Sequence, residues 1–215
     1  MTERLTARLR GWKHVIWDLD GTLLDTYPAT DGALVAALGE LGHEVSLEVV
    51  RRLTRLTLDH AVRTLAKQFG LPEAEIYSLY EQQYAVLGLN HSPAMPGALG
   101  AMQAVRARGG LNLLATHRDR EGAMWRLKAA GLGTMLDDLL CVSDGYPRKP
   151  DPALFLALLE RHGLNAAQVL AVGDRDLDAL AAHLAGCRAA LLLTPGVTLD
   201  TGADWVLGGL DELSL

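Results

Sequence analysis

Two short segments of this 215-residue sequence concentrate carboxylates where an apolar run stops. In the first, Trp17-Asp18-Leu19-Asp20-Gly21-Thr22-Leu23-Leu24-Asp25, two acids stand two residues apart just after His14-Val15-Ile16, and Gly21 permits a sharp turn. If the extended pattern persists through the pair, both carboxylates face one side, because strand side chains alternate with a period of two. The second segment, Val172-Gly173-Asp174-Arg175-Asp176-Leu177-Asp178, follows Val169-Leu170-Ala171 in the same manner. Read alone, a D-x-D pair is equally a loop-capping feature. Two such clusters at two strand ends suggest one shared metal, since crowded carboxylates repel one another without a cation between them. An all-oxygen donor set suits a hard divalent ion such as Mg2+.

Two further residues offer phosphate-oxygen donors: the hydroxyl of Thr116, which closes the run 111–116, and the ammonium of Lys149 in Arg148-Lys149-Pro150-Asp151-Pro152. Taken singly, Thr116 reads as a strand end and Lys149 as a solvated charge. In order with the acids, they read as a phosphate site. His117 follows Thr116, where its backbone N–H can reach the same phosphate; its imidazole has no assigned role.

Such residues must be carried by a scaffold that brings strand ends together. Short apolar runs at 14–18, 111–116, 138–142, 169–173 and 189–193 suit strands buried on both faces. Between these runs lie helical patterns at Ala98–Arg108, Asp119–Ala130, Pro152–His162 and Asp176–Ala185. The alternation predicts a doubly wound parallel α/β layer, a fold that collects ligands outside the carboxyl ends of its strands. Residues 28–91 break the rhythm with helix-like segments at Thr30–Leu41, Leu47–Leu53, Leu58–Phe69 and Pro72–Leu87 and no convincing strand. Pro93 and Pro96-Gly97 mark the return. The expected organisation is a core of residues 1–27 and 92–215 with a small helical domain, 28–91, inserted after the first strand.

Composition narrows the classes of function. With 49% hydrophobic and 21% charged residues there is ample material for a core, and a net charge of −6 would repel nucleic acid on average. Cys141 and Cys187 lie far apart in apolar stretches without metal-ligand spacing, which reads as buried thiols. Residues 1–11 carry three arginines but no apolar leader pattern, and no run approaches membrane-spanning length. The expectation is a cytoplasmic protein, monomer or homodimer, with no membrane or nucleic-acid partner.

These segments resemble the haloacid dehalogenase superfamily, whose ordered motifs match DLDGTLLDT, LLATHRD, RKPDPALF and VLAVGDRDLD over nearly the whole chain. The resemblance implies a Rossmann-like core with a helical cap of the phosphoglycolate phosphatase and β-phosphoglucomutase branch, and an enzyme acting on a small phosphorylated metabolite. Asp18 would be the nucleophile that forms an aspartyl-phosphate, and Asp20 the general acid and then base. Thr116 and Lys149 would hold and neutralise the phosphoryl group. Mg2+ would be bound by Asp18, the backbone carbonyl of Asp20 and Asp174, with Asp178 orienting its waters. An aspartate at position 20 points to phosphate esters, because dehalogenases of the superfamily lack it and phosphonate-cleaving members replace it with a small residue. Asp176, where members often carry a neutral residue, reads as an acid favoured by the first turn of a helix. In the insert, Thr54-Arg55-Leu56-Thr57 falls where a cap loop touches substrate in that branch, which makes Arg55 a specificity candidate; it is equally a solvated helix-end arginine beside Arg51 and Arg52. Hydrolysis of a phosphate monoester is the leading reading. A phosphomutase and a non-catalytic phospho-ligand binder are the alternatives.

Overall fold

The structure, a computed structural model, describes residues 11–88, 92–194, 199–200 and 202–214. The apolar run before the first acid pair forms β1 (His14–Trp17). Helices α1 (Tyr27–Glu40), α2 (Leu47–Thr54), α3 (Leu58–Phe69) and α4 (Glu73–Gly88) follow, then α5 (Ala98–Ala107). Strands and helices alternate from there: β2 (Asn112–Thr116), α6 (Arg120–Ala129), β3 (Asp138–Cys141), α7 (Ala153–Arg161), β4 (Val169–Gly173), α8 (Asp176–Leu184), β5 (Arg188–Leu192) and β6 (Trp205–Leu207). Among the described residues β6 is the one strand the apolar pattern did not predict: it has three residues, of which only Leu207 is buried, too few for either periodicity to register.

All neighbouring strands run parallel, in the order β3-β2-β1-β4-β5-β6. Alternation along β1 sends Val15 and Trp17 into one apolar layer and Ile16 into the other. The first layer receives Met102 and Val105 of α5 and Ala123 and Leu127 of α6; the second receives Phe155 and Leu158 of α7 and Ala179 and Ala182 of α8. Both sheet faces are therefore covered, which is why the central strands read as unbroken apolar runs rather than alternating ones. Asn112 brings a polar side chain into this interior. It is fully buried, accepting from the Trp17 indole at 2.9 Å and donating to the Met102 carbonyl at 3.0 Å.

Register decides where the chemistry goes. Trp17 stands level with Leu114 on one side and Val172 on the other. Asp18, one residue beyond Trp17, and Thr116 and Asp174, two residues beyond its partners, therefore emerge at one edge of the sheet. The Asp18 N–H still donates to the Val172 carbonyl at 2.8 Å, so the ladder continues into the first acid. Beyond it the chain turns sharply: the Leu19 carbonyl accepts from the Leu23 and Leu24 amides at 3.0 and 2.9 Å, and Gly21 takes a φ of +81°.

The chain divides into two compact units, one of which runs from Asp25 to Pro93. This helical unit has its own apolar cluster, including Leu34 and Leu38 of α1, Leu65 of α3 and Ile76 of α4. Two of its helices, α2 and α3, begin with side-chain caps, Ser46 on the Val49 amide at 3.3 Å and Thr57 on the His60 amide at 2.9 Å. Among the described residues no helix is long and apolar enough to cross a membrane. Both cysteines are buried, and burial pushes their thiols up to about 11 for Cys141 and about 12 for Cys187, a range in which they stay protonated.

Candidate active site

Lys149 lies at the centre of the strand-end edge. Its ammonium donates to Asp18 Oδ1 at 2.5 Å, Asp178 Oδ1 at 2.6 Å and the Ala115 carbonyl at 3.1 Å. Three acceptors match the three protons of an ammonium, so the group is fully satisfied although buried. Burial works against its charge, but Asp178 and Asp18 outweigh it and raise the Lys149 pKa above the ordinary lysine value. The carboxylates respond unequally. Burial raises Asp18 to about 6 against the pull of Lys149. At Asp178 burial acts in the same direction, but Lys149 and Arg175 prevail and hold the group below the usual range.

Asp18, Asp174 and Asp178 are all buried, and each offers an oxygen within 4.8 Å of the others. Asp18 Oδ2 has no hydrogen-bond partner despite being shielded from solvent. A buried carboxylate oxygen in that condition is costly unless a cation or reacting atom meets it. An all-carboxylate set of this kind fits a hard divalent metal ion. Asp178 reaches the cluster because α8 starts close to β4. A Cβ added at Gly173 would lie 2.4 Å from the Asp178 Cβ. The absence of a side chain at position 173 is what admits Asp178. We expect Gly173→Ala to destabilise the fold by about 1–3 kcal/mol, as overpacking does. It should also displace Asp178 from Lys149, read as a lower Tm together with weaker calorimetric binding of Mg2+; a variant with wild-type values of both would refute this account.

Asp20 does not join that cluster with its side chain. Arg118 Nε donates to its two carboxylate oxygens at 2.9 and 2.7 Å, and Arg118 Nη2 donates to Oδ1 at 2.7 Å. Arg118 was not singled out in the sequence, although the signal existed. β1 and β2 are neighbours, so the loops after them lie side by side, and an arginine two residues past Thr116 then faces the second acid past β1. The Thr116 hydroxyl is buried and accepts from the Arg118 amide at 3.2 Å. His117 turns its ring toward Lys149, and its Nε2 accepts from the Lys149 amide at 2.8 Å. Arg175 approaches Asp174 Oδ1 with Nε at 3.9 Å, while Asp176 accepts from the Asp200 amide at 2.9 Å in the first turn of α8.

Arg55 lies in the helical unit and is not solvated. It is 8% exposed, with Nη1 and Nη2 donating to Asp31 Oδ1 and Oδ2 at 2.9 and 2.8 Å and its guanidinium 3.9 Å from the centroid of the Tyr27 ring. Thr54 adds a hydroxyl to Asp31 at 2.6 Å. Asp31 was invisible as a partner in the sequence because it stands on the apolar face of α1, 24 residues from Arg55.

The family model of haloacid dehalogenase-like hydrolases matches residues 12–186. A phosphoglycolate phosphatase of Nitrosospira multiformis is 34% identical over 184 residues, covering 81% of this chain and 80% of its own. One of Vibrio parahaemolyticus is 30% identical over 216 residues, covering 94% of each chain. The crystal structure of a predicted phosphoglycolate phosphatase from Haemophilus somnus 129pt superposes with a TM-score of 0.79 at 26% identity, over 95% of this chain and 97% of that one. A matched span reaching from β1 to the end of α8 takes in every strand-end residue described above, and with it the chain belongs to the haloacid dehalogenase-like hydrolases, as an enzyme of the phosphatase kind.

Proposed function

We propose that this phosphatase hydrolyses a small phosphate monoester through an aspartyl-phosphate formed on Asp18. The observation that carries the reading is the state of the Asp18 carboxylate: one oxygen held by Lys149 at 2.5 Å, the other buried without a hydrogen-bond partner. An oriented carboxylate with one bare oxygen is a nucleophile ready for phosphorus. Asp18 Oδ2 forms the new bond to phosphorus as the bond to the ester oxygen breaks. Asp20 protonates the departing alcohol, and then removes a proton from the water that attacks the aspartyl-phosphate, returning inorganic phosphate and free Asp18. Arg118 orients Asp20 for both transfers by gripping its two oxygens. Thr116 and the backbone N–H of His117 hold the phosphoryl oxygens, and Lys149 neutralises their charge from its place beside Asp18. The protein thereby contributes mainly positioning and charge stabilisation, from which most of the rate enhancement in phosphoryl transfer comes.

Mg2+ fits the donor set of Asp18, the Asp20 backbone carbonyl and Asp174, with Asp178 beside it, and when bound it would supply Lewis-acid neutralisation of the phosphoryl oxygens. The helical unit serves in this reading as the cap, with Arg55, fixed by Asp31 and Tyr27, as its candidate specificity residue. The enzyme would work on cytoplasmic metabolites, and phosphoglycolate is the first substrate to test because both sequence relatives described above carry the name phosphoglycolate phosphatase. The test is a panel of phosphorylated metabolites with Mg2+, scored for inorganic phosphate. Steady release that stops on chelation is the expected result. Interconversion of sugar-phosphate isomers without release would instead indicate a mutase, and binding without turnover a phospho-ligand binder.

A further inference from the structure

The hydrogen bond from the Lys149 amide to His117 Nε2, 2.8 Å long and spanning 32 residues of sequence, is not needed by the mechanism above. A backbone N–H can only donate, so Nε2 must carry no proton and the ring is the neutral tautomer protonated on Nδ1. Burial, then the neighbouring charges of Lys149, Arg175 and Arg148, push the His117 pKa down to about 4 against the opposing pull of Asp178. The ring is therefore an acceptor throughout the neutral range.

Lys149 is thus held at both ends. Its ammonium meets oxygens from the end of β1, from β2 and from α8. Its backbone lies in the loop between the 3-10 turn at Val142–Asp144 and α7, where no strand ladder supports it. A lysine stem has four rotatable bonds, and an ammonium on a loose backbone would sample several positions at the carboxylates. We infer that His117 is a positioning residue: its imidazole, by anchoring the Lys149 amide, sets where the Lys149 ammonium stands between Asp18 and Asp178. This differs from any phosphate contact of the His117 backbone N–H. The geometry stands on its own, whereas the catalytic consequence rests on the proposed role of Lys149 in phosphoryl transfer.

His117→Phe keeps a ring of similar breadth and removes the acceptor. Misplacing a catalytic group by about 1 Å costs on the order of 10²-fold, so kcat/KM is expected to fall roughly 10- to 100-fold with little change in Tm. His117→Gln, whose side-chain oxygen can accept from the same amide, should recover most of that loss. In a Lys149→Met background His117→Phe should cost nothing further, because a residue acting only through Lys149 is non-additive with it. The same cycle is read by calorimetric affinity for inorganic phosphate in the presence of Mg2+, so an inactive Lys149→Met enzyme still reports. Independently of turnover, nitrogen-15 NMR of the wild type should show Nε2 unprotonated and the Lys149 amide protected from exchange. Equal losses in both backgrounds, wild-type kcat/KM in His117→Phe, or a protonated Nε2 would each overturn the inference. If the wild type turns over no phosphate ester while the NMR signature and the phosphate-binding cycle hold, the phosphatase reading fails and the positioning role survives.

Discussion

Asp18→Asn is expected to lower phosphate release by about 10⁴-fold or more, the scale on which enzymes lose rate when a nucleophile is removed, while leaving the fold intact. The amide is nearly the same shape as the carboxylate, and its oxygen can still accept from Lys149, which now holds Asp18 Oδ1 at 2.5 Å. Stability supplies an independent check with a definite sign. Burial raises Asp18 to about 6 from an ordinary value of 3.8. A folded-state pKa raised in this way favours the fold fully below the unfolded value, and that contribution disappears as pH rises through the folded one. At pH 7.5 the metal-free wild type therefore carries an ionised carboxylate that its surroundings disfavour, and the asparagine removes it. Thermal unfolding of the metal-free variant at that pH should give a Tm equal to or above that of the wild type. Substantial turnover by a well-folded Asp18→Asn enzyme would remove Asp18 from the nucleophile's role.

Lys149→Met is expected to cost about 10²- to 10³-fold in kcat/KM, the range seen when one preorganised donor to a reacting oxyanion is lost. A second effect follows from the electrostatics. Lys149 is the principal group opposing the burial that raises Asp18. Without it the Asp18 carboxyl should climb further, so that the ionised nucleophile forms only at higher pH. The acid limb of the pH–rate profile, in which activity falls as protons return to Asp18, should therefore move to higher pH in the variant. Recording both enzymes at several Mg2+ concentrations separates this shift from metal binding, because a divalent ion on the same carboxylates opposes their protonation. A limb that stays in place with near-normal kcat/KM would show that Lys149 does not act on the reacting groups.

The two predictions draw differently on sequence and structure. Asp18 stands out as a strand-end acid from local signals, an apolar run that stops, a pair of acids and a glycine that turns the chain, and the family resemblance of that segment implies the nucleophile's role for it. The Lys149 prediction needs to know that an ammonium 131 residues away lies against Asp18 and also touches Asp178. The same division holds across the molecule. The runs at 169–173 and 138–142 announce β4 and β3 because parallel strands covered on both faces must be continuously apolar. β6 does not announce itself, since a short and mostly exposed edge strand has almost nothing to bury.

What the sequence by itself determined is the helices and the five buried strands β1 to β5, and which acids, hydroxyl and amine stand where apolar runs end, because burial and chain reversal leave their marks within a few neighbouring residues. Only the tertiary structure decided the pairings. Arg118 grips Asp20 across 98 residues, His117 receives the Lys149 amide across 32, and Arg55 is committed to Asp31 rather than to solvent. Charged groups carry no mark of their partners along the chain. Strand order and register bring these groups together, and the cost of burying a charge unpaired then selects the partner.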